Sequence, residues 1–124
     1  MKYFNEAMET MGRMDLNALI DERTRYTVRY AAEHSPFYRR WFQDNDVDVD
    51  SIRVHEDLKK LPIVSGQTIR DNQPPRTEDF RFKSVEWQDV FTIHETSGTS
   101  GTPKSFFLTY DDWKRYADKR VRRL

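Results

Sequence analysis

The sequence predicts an α+β chain, with helices through its first two-thirds, then a β-hairpin-like unit carrying a loop of glycines and hydroxyls, then a final helix. Apolar residues recur at helical spacing from Asp15 to His34, and a second, aromatic-rich helical stretch follows Ser35-Pro36. Two β-prone runs, Val90 to Ile93 and Phe106 to Leu108, flank a segment that contains Gly98 and Gly101. With 124 residues the chain has the length of one ordinary domain. Within that single domain, residues 1–72 are expected to be helical, residues 73–89 loop-rich, and residues 90–124 a strand–loop–strand–helix unit.

In the first helix Leu16, Leu19, Ile20, Tyr26, Tyr30 and Ala31 fall near one face, with Asp15 as the expected N-cap. Ser35 caps a second helix and Pro36 suits its first position, so Phe37, Tyr38, Trp41 and Phe42 enter the core. The acidic run from Asp44 to Asp50 resembles a calcium loop only superficially. An EF-hand needs Gly at its sixth place and Glu at its twelfth, where this chain has Val49 and His55, so a solvated turn is expected. Val54 to Leu61 forms a short helix that stops before Pro62, and Ser65 caps another that runs to Asp71. Asn72 to Asp79, with Pro74 and Pro75, has no period and is expected to be a loop. Asp111 or Asp112 is the expected cap of the last helix, whose Trp113, Tyr116, Ala117 and Val121 share a face.

Composition narrows the function. Charged residues make up 34% and aromatics 14%, which predicts a folded chain with a thin core rather than a disordered one. Twenty-one bases balance twenty-one acids, so no long-range attraction to nucleic acid or acidic membrane is expected. The absence of Cys excludes disulfides, thiolate catalysis and zinc–thiolate sites, and no apolar run of signal or membrane length is seen, so a cytoplasmic protein is expected. His34, His55 and His94 stand too far apart for a metal motif, and no metal site is assigned.

The chemistry is concentrated in Thr96-Ser97-Gly98-Thr99-Ser100-Gly101-Thr102-Pro103-Lys104. Its two glycines allow positive φ and let backbone N–H groups approach an anion, and five hydroxyls supplement those donors. Lys104 adds a point charge suited to polyphosphate and is the candidate catalytic residue; Pro103 stiffens the chain before it. A Walker A loop aligned on Gly98 would require Gly where Pro103 stands, and would lead into a helix rather than a β-prone run. Thr96, Ser97, Gly98, Thr99, Ser100, Gly101, Thr102 and Lys104 are the candidate nucleotide-binding residues.

This segment resembles the signature loop of the adenylate-forming ligases, with Ser105 where the family commonly has Gly. Ser35-Pro36-Phe37-Tyr38, Leu58 to Pro62, Arg70-Asp71-Asn72 and His94 are similar to the phenylacetate-CoA ligase branch, which includes the coenzyme F-390 synthetases. The resemblance implies an N-terminal fragment of such a ligase, inactive alone, since family members run to several hundred residues. It implies ATP and Mg²⁺ as cofactors, CoA in the whole enzyme, and a carboxylic acid or a deazaflavin coenzyme as acceptor. The loop would hold the β- and γ-phosphates while the acceptor attacks the α-phosphorus. Two other readings exist. Lys114, Arg115, Lys119, Arg120, Arg122 and Arg123 make the last helix basic, as in a nucleic-acid-binding module, although a solvated helix face accounts for them and no nucleic acid is expected. Unpaired strand edges and exposed apolar surface would make the chain a homo-oligomerising module.

Overall fold

Residues 2–99 and 101–121 are described by a computed structural model of the protein, the last of them by its backbone alone. A short helix α1, Glu6–Glu9, is capped by Asn5, whose side chain accepts from the Met8 N–H. Helix α2, Arg13–His34, begins before Asp15, with Gly12 at the N-cap. Asp15 is therefore not the cap; it lies in the first turn, where a carboxylate faces the positive end of the helix dipole. Ser35 makes the corner into α3, Pro36–Asp44: its N–H donates to the Ala31 carbonyl, and its hydroxyl accepts from the Tyr38 N–H. Buried to 1% exposure, it ends one helix and starts the next.

Val28 of α2, Phe42 of α3 and Ile52 form the buried cluster, with Ala32, Tyr38, Trp41, Val47, Val49 and Leu61 packed around it. Ile20 and Tyr26, expected on the packed face of α2, are exposed instead, and Val28 takes the central place. The acidic run is more than a solvated turn. Asp46 adopts φ 51°, Asp48 caps a 3₁₀ turn over Val49–Ser51, and Asp50 pairs with Arg29 at 3.0 Å. Val47 and Val49 point inward between these acids.

The segment His55–Lys60 is a 3₁₀ rather than an α-helix. At its start Asp57 accepts from the Arg53 and Val54 N–H groups and pairs with Lys60 at 2.9 Å. The Lys60 ammonium first, then the two N–H donors, hold its carboxyl well below the usual carboxylate range. Helix α4, Gly66–Asp71, is capped by Ser65 as expected. The stretch that follows is aperiodic but well packed. Phe82 stacks on Phe37 with ring centroids 3.8 Å apart, and the Arg81 carbonyl accepts from the Phe37 N–H at 2.9 Å. Phe80 and Trp87 contact Phe107 at 4.8 and 5.3 Å.

Strands β1, Thr92–Glu95, and β2, Ser105–Leu108, pair antiparallel, with Thr92 opposite Leu108 and Glu95 opposite Ser105. The first strand starts later than its β-prone run because Val90 closes a 3₁₀ turn over Trp87–Asp89. Helix α5, Tyr110–Val121, is capped by Thr109 and not by Asp111 or Asp112. Thr109 Oγ1 accepts from the Asp112 N–H, and Asp112 Oδ2 accepts from the Thr109 N–H, a reciprocal capping box. Trp113 and Tyr116 lie on Phe91 and His94 of the hairpin at 5.4 and 5.6 Å. The basic face is partly engaged, with Lys114 near Asp111 and Arg120 over the Tyr116 ring; Arg122 and Arg123 lie outside the described residues. No described helix is long and apolar enough to cross a membrane.

One ion pair ties α2 to the 3₁₀ turn. His55 Nδ1 lies 2.8 Å from Asp21 Oδ1, and its Nε2 lies 3.1 Å from Glu56 Oε1. The hydrogen bond to Asp21 raises the His55 pKa above its usual 6.5 and lowers that of Asp21. The raised histidine contributes stability that is fully present below about 6.5 and is lost as pH rises through its folded pKa. The depressed aspartate acts oppositely, its contribution disappearing as pH falls through its own lowered value. Asp21→Asn is expected to bring the His55 titration, followed by NMR of the ring protons, back toward 6.5. An unshifted midpoint would mean that the pair does not form in solution.

Candidate functional site

Residues 96 to 104 connect β1 to β2, so the hairpin fixes both ends of the loop. At its base the Thr96 N–H donates to the Lys104 carbonyl at 3.0 Å, and the Lys104 N–H donates to Thr96 Oγ1 at 3.0 Å. One of the five hydroxyls is thus engaged within the loop itself. Above it the Gly101 N–H closes a turn onto the Gly98 carbonyl at 3.1 Å. Gly98 and Gly101 have φ of 71° and 133°, conformations that side chains disfavour. A Cβ on Gly98 would also meet Pro103 Cγ at 2.8 Å, inside van der Waals contact. Ser97, Thr99 and Thr102 are exposed on this turn, and Ser100 lies outside the described residues.

The C-terminal arm is held from below by α4 and the residue pair that follows it. Arg70 Nε donates to the Thr102 carbonyl at 3.0 Å. Gln73 Nε2 donates to the Pro103 carbonyl at 2.6 Å, and Gln73 Oε1 accepts from the Ser105 N–H at 3.2 Å. Ser105 is buried, and its hydroxyl donates to Glu95 Oε1 on the facing strand at 2.8 Å. The Lys104 side chain runs over the first residue of α4. Its Nζ lies 3.4 Å, and Arg70 Nη1 3.7 Å, from the point a Cβ on Gly66 would occupy. Both cationic side chains therefore reach the neighbourhood of Gly66, and among the described residues no carboxylate pairs with Lys104. Basic side chains gathered beside a loop raise the local positive potential.

A cleft of about 530 Å³ opens beside the loop, lined by Gln67, Arg70, Pro75, Arg76, Gly101 and Thr102. A larger cavity of about 620 Å³ lies between α2 and β2, with Tyr26, Tyr30, Phe82 and Phe107 in its walls, and includes none of residues 96 to 104. In the smaller cleft the side chains of Arg70 and Arg76 meet the loop at Gly101 and Thr102. His94 packs edge-on against Tyr116. Asp21, His55 and Glu56 form a cluster with metal-ligand spacing, joined here as the ion pair described above. The positions of Arg70, Gln73 and Gly66 around the loop have no local sequence signal; only the hairpin brings them under it.

No family model matches the chain. Its sequence is 34% identical over 121 residues to phenylacetate-coenzyme A ligase of Thermus thermophilus, and 34% identical over 119 residues to that of Escherichia coli. These alignments take in 98% and 96% of this chain. A crystal structure of 2-hydroxyisobutyryl-CoA ligase in the postadenylation state with 2-HIB-AMP superposes with a TM-score of 0.75 and 26% identity, over 88% of this chain and 22% of that one. The same ligase with 2-HIB-AMP and CoA in the thioesterification state gives 0.76 and 29%, over 89% and 23%. The sequence relatives and the solved structures agree that the chain is similar to an N-terminal portion of an adenylate-forming ligase. Its similarity within that family is to phenylacetate-CoA ligases, and it spans about a quarter (26%) of the length of those two relatives.

The two glycines make the loop's geometry testable. Gly98→Ala is expected to displace the turn, because it adds both positive-φ strain of about 1–2 kcal/mol and the Pro103 clash. Amide shifts in an NMR correlation spectrum should move for residues 96 to 104 while those of α2 and α3 stay in place. Unmoved loop signals would mean that the turn is not the one described.

Proposed function

We propose that the loop of residues 96 to 104 grips the β- and γ-phosphates of ATP in an AMP-forming CoA ligase. Its candidate binding residues are Thr96, Ser97, Gly98, Thr99, Ser100, Gly101, Thr102 and Lys104. The observation that carries the proposal is a turn with two positive-φ glycines that has the Lys104 and Arg70 side chains beside it, both reaching the neighbourhood of Gly66. In the complete ligase a carboxylate attacks the α-phosphorus, the bond to the bridging oxygen breaks, and pyrophosphate leaves with its electron pair. CoA thiol then displaces AMP from the acyl-adenylate. The loop's task is to neutralise the charge that builds on the departing pyrophosphate, through N–H donors and the Lys104 ammonium. A carboxylic acid is favoured over a deazaflavin as acceptor, since the relatives are phenylacetate- and 2-hydroxyisobutyryl-CoA ligases. Mg²⁺ fits as a counter-charge carried by the phosphates; residues 96 to 104 include no carboxylate to hold it, and no step is assigned to it.

Lys104→Ala in the intact ligase is expected to cost on the order of 2–4 kcal/mol of transition-state stabilisation, by analogy with removed oxyanion donors. Its effect on folding should stay below about 0.5 kcal/mol, because the side chain has no ion-paired carboxylate among the described residues. Pyrophosphate release and the thermal midpoint, measured side by side, separate the two. Undiminished release would sink the phosphate reading, and so would a variant that merely unfolds.

A second reading, self-association of the 124-residue chain, is favoured by the two-stranded sheet with Phe91, Ile93, Phe106 and Tyr110 exposed on and beside it. Sedimentation over a wide concentration range should then show mass rising with concentration. A constant monomer mass would dispose of it.

A further inference from the structure

We infer that Gln73 is a positioning residue for the loop's cation, an inference that rests on the phosphate-binding reading of the loop. Its side chain is 4% exposed, and both ends of its amide are used. The NH₂ donates to the Pro103 carbonyl and the oxygen accepts from the Ser105 N–H, so the amide spans the residues immediately before and after Lys104. Lys104 itself is tied through its own N–H and carbonyl to Thr96. Gln73 on one side and Thr96 on the other therefore fix the peptide units on both sides of Lys104, leaving its side chain directed over Gly66.

The chemistry at position 73 is demanding. One donor and one acceptor must be presented in a buried place to two backbone groups two residues apart. Gln supplies both from one planar amide. Glu of the same length keeps the acceptor for the Ser105 N–H but sets an oxygen against the Pro103 carbonyl oxygen. Met of similar length supplies neither, and leaves a buried N–H and carbonyl unpaired. Gln73 is itself held in place, since its carbonyl accepts from the Arg76 and Thr77 N–H groups at 3.0 and 3.3 Å. The turn that starts there and the end of α4 at Asn72 flank Gln73 on either side. Gln73 touches no phosphate itself; it acts through Lys104.

The test uses the 124-residue chain and inorganic tripolyphosphate, titrated calorimetrically, with wild type, Gln73→Met, Lys104→Ala and the double variant. Gln73→Met is expected to weaken binding about tenfold, and the double variant to bind no more weakly than Lys104→Ala alone, the non-additivity of a residue acting through another. Amide hydrogen exchange at Lys104, measured without ligand, should quicken in Gln73→Met while that of α2 stays unchanged. Wild-type affinity in Gln73→Met, additive losses in the double variant, or unaltered exchange at Lys104 would each overturn the positioning role. If wild type and Lys104→Ala bind tripolyphosphate alike, the phosphate reading fails separately, and the exchange result still decides whether Gln73 orders the backbone at Lys104. Gln73→Glu provides the same exchange comparison should the Met variant not fold.

Discussion

The stack of Phe37 on Phe82 is the contact on which the rest of the structure depends. Among the described residues only Val28, Phe37, Phe42 and Ile52 are buried apolar side chains, a core too thin to organise every segment directly. Phe37 belongs to that core, and Phe82 carries its influence into the aperiodic stretch after α4. Two residues earlier, Phe80 turns toward Phe107 of β2. The hairpin is thus placed by aromatic contacts in series, each worth roughly 0.5–1.5 kcal/mol beyond its buried area. Backbone bonds run parallel to them, from Phe37 to Arg81 and from Arg81 to Asn72. Asn72 ends α4 and adjoins Gln73, so the same chain of contacts that sets the hairpin also sets what lies beneath the loop.

What was legible in the sequence follows from how local each cause is. Ser35 and Ser65 were readable as caps because a hydroxyl needs only the N–H three residues on. Gly98 and Gly101 were readable because positive φ is a property of the residue itself. The hairpin's existence was legible from its two β-prone runs, but its first boundary was not: Val90 favours strand, yet it closes the 3₁₀ turn that brings Trp87 against Phe107. At α5 two acids and a threonine compete for one capping position, and the Thr109–Asp112 box is the arrangement in which both side chains are satisfied. The α-helical expectation for His55–Lys60 yielded to a 3₁₀ turn, with the Asp57 carboxylate committed to two N–H groups and Lys60.

Arg70 and Gln73 were beyond local reasoning, because their partners lie about thirty residues away (32 and 30 positions) and exist only once the hairpin is docked. Nothing in the composition of residues 72 to 79 marks an amide about to be buried. Burial itself is the informative signal, since a Gln held at 4% exposure must find partners for both ends of its side chain. It found them in the backbone of the loop that the sequence had already singled out for other reasons.

This division of labour explains how a loop rich in Gly, Ser and Thr, a composition usual in flexible linkers, presents a defined surface. Its base is closed by Thr96 and Lys104, and its second arm is held by Arg70 and Gln73. The hydroxyls of Ser97, Thr99 and Thr102 are left on the exposed turn. Ordering the base before a ligand arrives lowers the conformational entropy lost on binding. The placement of Lys104 and Arg70 works in the same direction, because both cationic side chains reach the neighbourhood of Gly66 beside the loop. A bound polyphosphate would gain the attraction of both charges. An uncharged ligand would gain no such attraction, so on the phosphate-binding reading the arrangement would favour an anion.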